Sequence, residues 1–173
     1  MKSFFFIFSL LLGFTAVHCS QQQKTIARVG NTAISAYDLE MSMKLAQNNY
    51  DLSFLKADEN LELFRKSILT RRIQEELLLA EVKRRGKEIS EEELDQNLKK
   101  IGVDLAMTKK ALEERKLSYE NWRSQQRRRF LIEKITHGLS SEEVFALIDS
   151  LQAITPITVY EDKLQEMTLE ENH

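Results

Sequence analysis

The 173 residues are 42% apolar and 30% charged, with five glycines, one proline and one cysteine, which excludes collagen-like repeats, disulfide-stapled scaffolds and low-complexity disorder. The formal net charge is -2, from 25 basic and 27 acidic residues, and gives no electrostatic footing for a nucleic-acid partner. The length suits one ordinary domain with a real core.

At the amino end, Lys2 precedes an apolar run from Phe4 to Val17 that includes Phe4, Phe5, Phe6, Phe8 and Phe14. The run is too short to cross a bilayer as a helix and fits the h-region of a secretory signal, so export is expected. Cys19 follows Ala16-Val17-His18, where a bacterial lipoprotein carries the cysteine that becomes its acylated first residue. Residues 1–18 are then a signal peptide, and residues 19–25 a lipidated cysteine with a short polar tether. The expected location is the periplasm, with Cys19 as the lipid attachment to a membrane. Ala16 and His18 fit the usual motif poorly, and a soluble periplasmic protein cut after Cys19 is the alternative.

From Ile26 to Ile34, the pair Gly30-Asn31 separates two short apolar-containing runs and predicts a tight hairpin. Helices are predicted near 36–50, 59–85, 91–101, 109–115, 119–137 and 141–152. Their starts are marked by Ser35 with Asp38, Ser90 with Glu93, Thr108, Ser118, and Ser140 with Glu143. Gly86, Gly102 and Gly138 mark three helix ends. The helix 59–85 carries its core stripe at Leu61, Phe64, Ile68, Leu69, Ile73, Leu77, Ala80 and Val82. Lys83, Arg84 and Arg85 complement the negative end of that helix, and Glu91, Glu92 and Glu93 the positive end of the next.

The helix from Tyr119 is apolar on two sides. At 100° per residue Tyr119, Trp122 and Phe130 fall together, and Leu131, Ile132 and Ile135 fall opposite. It is either a central helix between two layers or one that offers a face to an apolar partner. The same rotation sends Arg127, Arg128 and Arg129 in three directions, so they form no single basic patch. After the last helix, Ile157 to Tyr160 reads as an edge strand starting behind Pro156 and pairing with the front hairpin. The end from Glu161 to His173 reads as a short helix or a charged tail.

The order of these signals resembles the N-terminal domain of the SurA and PrsA group of extracytoplasmic chaperones, which is also similar to the peptide-binding domain of trigger factor. The matching text is Ile26 to Leu39, Ile73 to Gly86, Ile89 to Asp95, and Leu117 to Arg123 with the arginine-rich stretch to Ile135. Gly30-Asn31 reverses the Asn-Gly order usual in that group. The resemblance implies a mainly α fold, a SurA N-domain-like helical domain of about six helices with a short hairpin in front. Residues 26–155 would be the chaperone domain, and 156–173 the edge strand and charged tail. Many members add parvulin-type prolyl isomerase modules that open with a His-Ile-Leu strand. The histidines here are His18, His137 and His173, none followed by Ile-Leu, so isomerase activity is not carried over.

A residue-by-residue search for chemistry agrees with a non-enzymatic role. No thiol remains beyond Cys19, no histidine spacing suggests a metal, no Gly-rich phosphate loop exists, and no cofactor is expected. The carboxylates are expected on solvated helix faces. The resulting expectation is an ATP-independent periplasmic chaperone that holds unfolded exported polypeptides in an apolar cleft, with a homodimer as one way to complete it. Met41, Met43, Leu45, Trp122 and Phe130 are the candidate client contacts, because flexible Met and amphipathic aromatics suit promiscuous surfaces. The alternative is an adaptor lipoprotein that holds one dedicated partner at the membrane.

Overall fold

The computed structural model describes residues 24–47, 55, 57–115 and 117–167. The expected signal peptide, Cys19, most of its tether, the last residues of the first helix and the end of the tail lie outside them. The elements are β1 Thr25–Val29, β2 Thr32–Ser35, α1 Ala36–Gln47, α2 Asp58–Arg84, α3 Glu91–Lys100, α4 Leu105–Glu114, α5 Tyr119–Thr136, α6 Ser141–Ile154, β3 Ile157–Val159 and α7 Glu161–Gln165. The fold is mainly helical, with the expected hairpin in front and the expected late strand.

β1 is the middle strand of an antiparallel sheet ordered β2-β1-β3. Gly30, at φ 55, supplies the left-handed step that closes the hairpin so that Val29 faces Thr32. Its amide donates to the Pro156 carbonyl at 2.8 Å, tying the turn to the start of β3. A register shift between Thr25 and Ala27 explains why Ile26 and Ala27 are both buried although neighbours on a regular strand face opposite sides. On the other edge Val29 pairs with Ile157 and Ala27 with Val159. The proline precedes the paired stretch, so its missing N–H costs no ladder bond.

α2 organises the helices. It packs on α1, α5, α6 and β1 and buries Phe64, Ile68, Leu69, Leu77, Leu78 and Val82. Ala80, expected on this stripe, is exposed, whereas Glu76 and Glu81 are buried. The expectation of solvated carboxylates is therefore wrong at two positions, and each has arginine partners. Main-core residues on β1, β2, α1, α2, α5, α6 and α7 form one cluster. A second, smaller cluster joins Leu94 and Leu98 of α3 to Phe130 of α5. α5 thus lies between two layers: Phe130 and Trp122 serve the small cluster, and Leu131, Ile132 and Ile135 the main one.

The helix starts show which local signals operate. Ser35 and Asp38 bond reciprocally, Ser35 N to Asp38 Oδ2 at 3.2 Å and Asp38 N to Ser35 Oγ at 3.1 Å. Ser140 and Glu143 form a full capping box. Ser90 accepts from the Glu93 amide and Ser118 from the Asn121 amide. Thr108 caps nothing: α4 begins earlier, with Asp104 Oδ1 accepting from the amides of Ala106 and Met107 at 2.9 and 3.0 Å. Gly86, Gly102 and Gly138 all have positive φ, as expected at helix ends.

Candidate functional site

Four helices enclose a cleft of about 530 Å³. α1 contributes Ser42, Leu45 and Ala46, and α2 contributes Ile68, Arg71, Arg72, Glu75 and Leu78. α5 presents Gln125, Arg128, Arg129 and Ile132, and α6 closes the far side with Ile148. Each set follows the i, i+3, i+4 rhythm of one helix face, so helical periodicity itself assembles the lining. The apolar members divide by depth. Ile68, Leu78 and Ile148 are buried core residues exposed only at the bottom of the cleft, whereas Leu45 is 38% exposed.

The polar rim is held by a network of arginines and glutamates. Arg72 Nη1 donates to Glu75 Oε2 at 2.8 Å, and Arg71 Nε lies 3.3 Å from Glu75 Oε1. Next to Glu75 in sequence, the buried Glu76 accepts from Arg128 Nη2 at 2.7 Å, while Arg72 Nη2 stands 3.5 Å away. A buried carboxylate needs such partners to stay charged. Arg129 differs from these: it is exposed, its guanidinium carbon lies 5.9 Å from the Phe130 ring centre, and it has no carboxylate partner among the described residues.

The other cations of α5 face α3. Arg123 Nη2 approaches Glu91 Oε2 at 2.7 Å and Asp95 Oδ1 at 2.6 Å. Arg127 also pairs with Glu91, and Lys134 Nζ reaches Glu93 Oε1 at 2.7 Å. Arg123 first, then Arg127, hold the Glu91 carboxyl below its ordinary range. Of the consecutive arginines, Arg127 turns to α3 while Arg128, paired with Glu76 of α2, and Arg129 both line the cleft, so the three do not share one face but two of them do share one site. At the end of α2, Arg84 and then Arg85 hold the Glu81 carboxyl down to about 2.

Of the five residues named as candidate client contacts, the structure brings only Leu45 to the cleft. Met43 is 1% exposed in the main core. Phe130 is buried in the small cluster against Leu94 and Leu98, and half-buried Trp122 packs there while stacking on Tyr119 at 5.6 Å between ring centres. Met41 is half-buried and does not line the cleft. The residues missed were Arg71, Arg72, Gln125, Arg128 and Arg129, and their signal was the continuation of a helix face into polar side chains. Among the described residues no group of three or more His, Cys, Asp or Glu could hold a metal, and no helix is long and apolar enough to cross a membrane.

Comparison with known proteins gives one family. The sequence model of the SurA-like N-terminal domain matches residues 1–136, a span that runs from the amino end through the sheet's first two strands to the end of α5. No curated protein matches the chain.

Proposed function

The chain belongs to the family of SurA-like N-terminal domains, and from that premise we propose that it is an ATP-independent chaperone of exported proteins, holding unfolded segments in the cleft between α1, α2, α5 and α6. The observation that carries this reading is the cleft itself. An apolar floor of Ile68, Leu78 and Ile148, an exposed Leu45 and a rim of long Arg and Gln side chains suit a passenger recognised by apolar contact and adaptable polar contact rather than by one fixed shape. Its volume of about 530 Å³ matches the range of small-molecule pockets and admits a few side chains of an extended segment. The action is holding without bond-making, and no isomerase step is assigned to it.

The proposed place of action is the periplasm, with the apolar run Phe4 to Val17 as export signal and Cys19 as the acylated residue. Intact mass of the protein recovered from membranes tests the anchor: a chain beginning at Cys19 and carrying acyl groups is expected, and an unmodified chain beginning at Ser20 rules it out.

Suppression of aggregation tests the function. An unrelated polypeptide diluted from denaturant should stay soluble in the presence of a few-fold molar excess of this protein, without nucleotide. Unchanged light scattering at every ratio would overturn the chaperone reading in favour of an adaptor for one dedicated partner.

A further inference from the structure

We propose that the cleft selects acidic-apolar segments, stretches of an unfolded chain in which a carboxylate stands beside apolar side chains; this rests on reading the cleft as the client site. Among the described residues the lining carries four guanidiniums, Arg71, Arg72, Arg128 and Arg129, and one carboxylate, Glu75. Glu76, which does not line the cleft, is the only other carboxylate that pairs with any of them among the described residues. Two carboxylates thus answer four cations, on a protein whose formal net charge is -2. The cleft is locally positive on a globally acidic chain, so general attraction between protein and peptide does not produce the preference; only the lining does.

Donor capacity leads to the same occupant. A guanidinium offers five N–H groups in a planar fork matched to carboxylate. Arg128 bonds Glu76 through one nitrogen, Arg72 bonds Glu75 through one, and Arg129 has no carboxylate partner among the described residues. Elsewhere on α5 the balance is different, because Arg123, Arg127 and Lys134 are all matched by Glu91, Asp95 and Glu93 of α3. Excess cation is concentrated where the helix faces the cleft. Leu45 and Ile132, both on the lining, give apolar neighbours to the bound carboxylate, and a lysine-bearing segment would meet a net positive lining instead.

The test uses the full chain as the expressing cell delivers it, with short fluorescent peptides that share one apolar sequence and differ only in a central Glu, Gln or Lys. Fluorescence anisotropy should show the Glu peptide binding about fivefold tighter than the Gln peptide and the Lys peptide weakest. The advantage should shrink as salt rises from about 0.05 to about 0.5 M. It should vanish in the double variant Arg71→Gln/Arg129→Gln, whose two positions are exposed and whose folding is checked by circular dichroism. Equal binding of Glu and Gln peptides overturns the acidic selection while leaving the client cleft in place. Absence of binding by all three overturns both. Retention of the Glu preference by the double variant, or a wild-type dimer that no peptide dissociates, also overturns the assignment, by locating the preference elsewhere or by covering the cleft with a second copy.

Discussion

Glu76 Oε1 accepts a hydrogen bond from Arg128 Nη2 at 2.7 Å, and this contact joins α2 to α5 through an arginine that lines the cleft. Glu76 is 8% exposed, and its carboxylate has Arg128 and, at longer range, Arg72 in place of water. Removing one partner of a buried pair costs more than removing both, because the survivor is left uncompensated. Arg128→Met is therefore expected to destabilise the fold by about 1–3 kcal/mol, and Glu76→Gln by a similar amount. The double variant should cost less than their sum, with a coupling on the order of 1–2 kcal/mol. Urea denaturation of the four proteins measures it, and strict additivity would show that the pair contributes no mutual stabilisation.

Acid stability should depend visibly on Glu81. Its Oε2 accepts from Arg84 Nε at 2.5 Å and its Oε1 from Arg84 Nη2 at 2.6 Å and Arg85 Nε at 2.7 Å, which holds the carboxyl down to about 2. A carboxyl with a depressed folded-state pKa releases its proton more readily folded than unfolded. The stabilisation is therefore complete above the unfolded value of about 4.3 and is lost as the pH falls from there towards about 2. Both guanidiniums are open to solvent, which reduces the contribution to roughly 1–2 kcal/mol. Glu81→Gln should lower stability at neutral pH and flatten its pH dependence across that window. A variant whose midpoint falls with acid as steeply as the wild type would show that other carboxylates dominate.

The start of α4 separates two capping residues that the sequence offers. Asp104, the residue whose carboxylate meets the free amides of the first turn, should cost about 1 kcal/mol when changed to Ala. Thr108 lies within the helix and bonds its amide to the Asp104 carbonyl at 2.9 Å, so Thr108→Ala should change stability by about 0.5 kcal/mol or less. Thermal unfolding of both variants decides, and the reverse order would restore the later start.

That helix also shows what could be read from sequence. Signals that act within four residues, such as Gly30-Asn31, Ser35 with Asp38 and Ser140 with Glu143, specify geometry locally and appear where expected. Asp104 and Thr108 are both competent caps by sequence, and the structure uses Asp104, directly after Val103, which packs on the small cluster and donates its amide to the Leu98 carbonyl at 3.0 Å. The burial of Glu76 is hidden in the sequence because its hydrogen-bond donor, Arg128, is 52 residues away, and Arg72, four residues before it, only approaches to 3.5 Å. Glu81 has its partners three and four residues on, so the sequence did contain that pair, hidden by an ordinary helix-end explanation for Arg84 and Arg85. The cleft escaped for a related reason. Apolar periodicity reports faces that pack, whereas the open face of α5 is written in Gln125, Arg128 and Arg129.

Stability and client binding should separate between Leu45 and the two buried candidates, Met43 and Phe130. Leu45 lines the cleft and is 38% exposed, so Leu45→Ser loses part of its packing and some helix propensity and should cost about 1 kcal/mol. The same change takes an apolar contact from the passenger and should weaken peptide binding by a factor of about 3–10. Met43 and Phe130 behave oppositely. Met43 fills the main core and Phe130 fills the space between α3 and α5, so truncation leaves a cavity costing about 2–5 kcal/mol for Met43→Ala and about 3–5 kcal/mol for Phe130→Ala. Because such losses can unfold a domain outright, Met43→Leu and Phe130→Leu accompany them; these should stay folded and bind peptide as the wild type does. Urea denaturation and peptide anisotropy on the same preparations give both quantities. Weakened binding in the folded Phe130→Leu protein, with Leu45→Ser unaffected, would move the client site from the α1/α2/α5/α6 cleft to the α3/α5 junction.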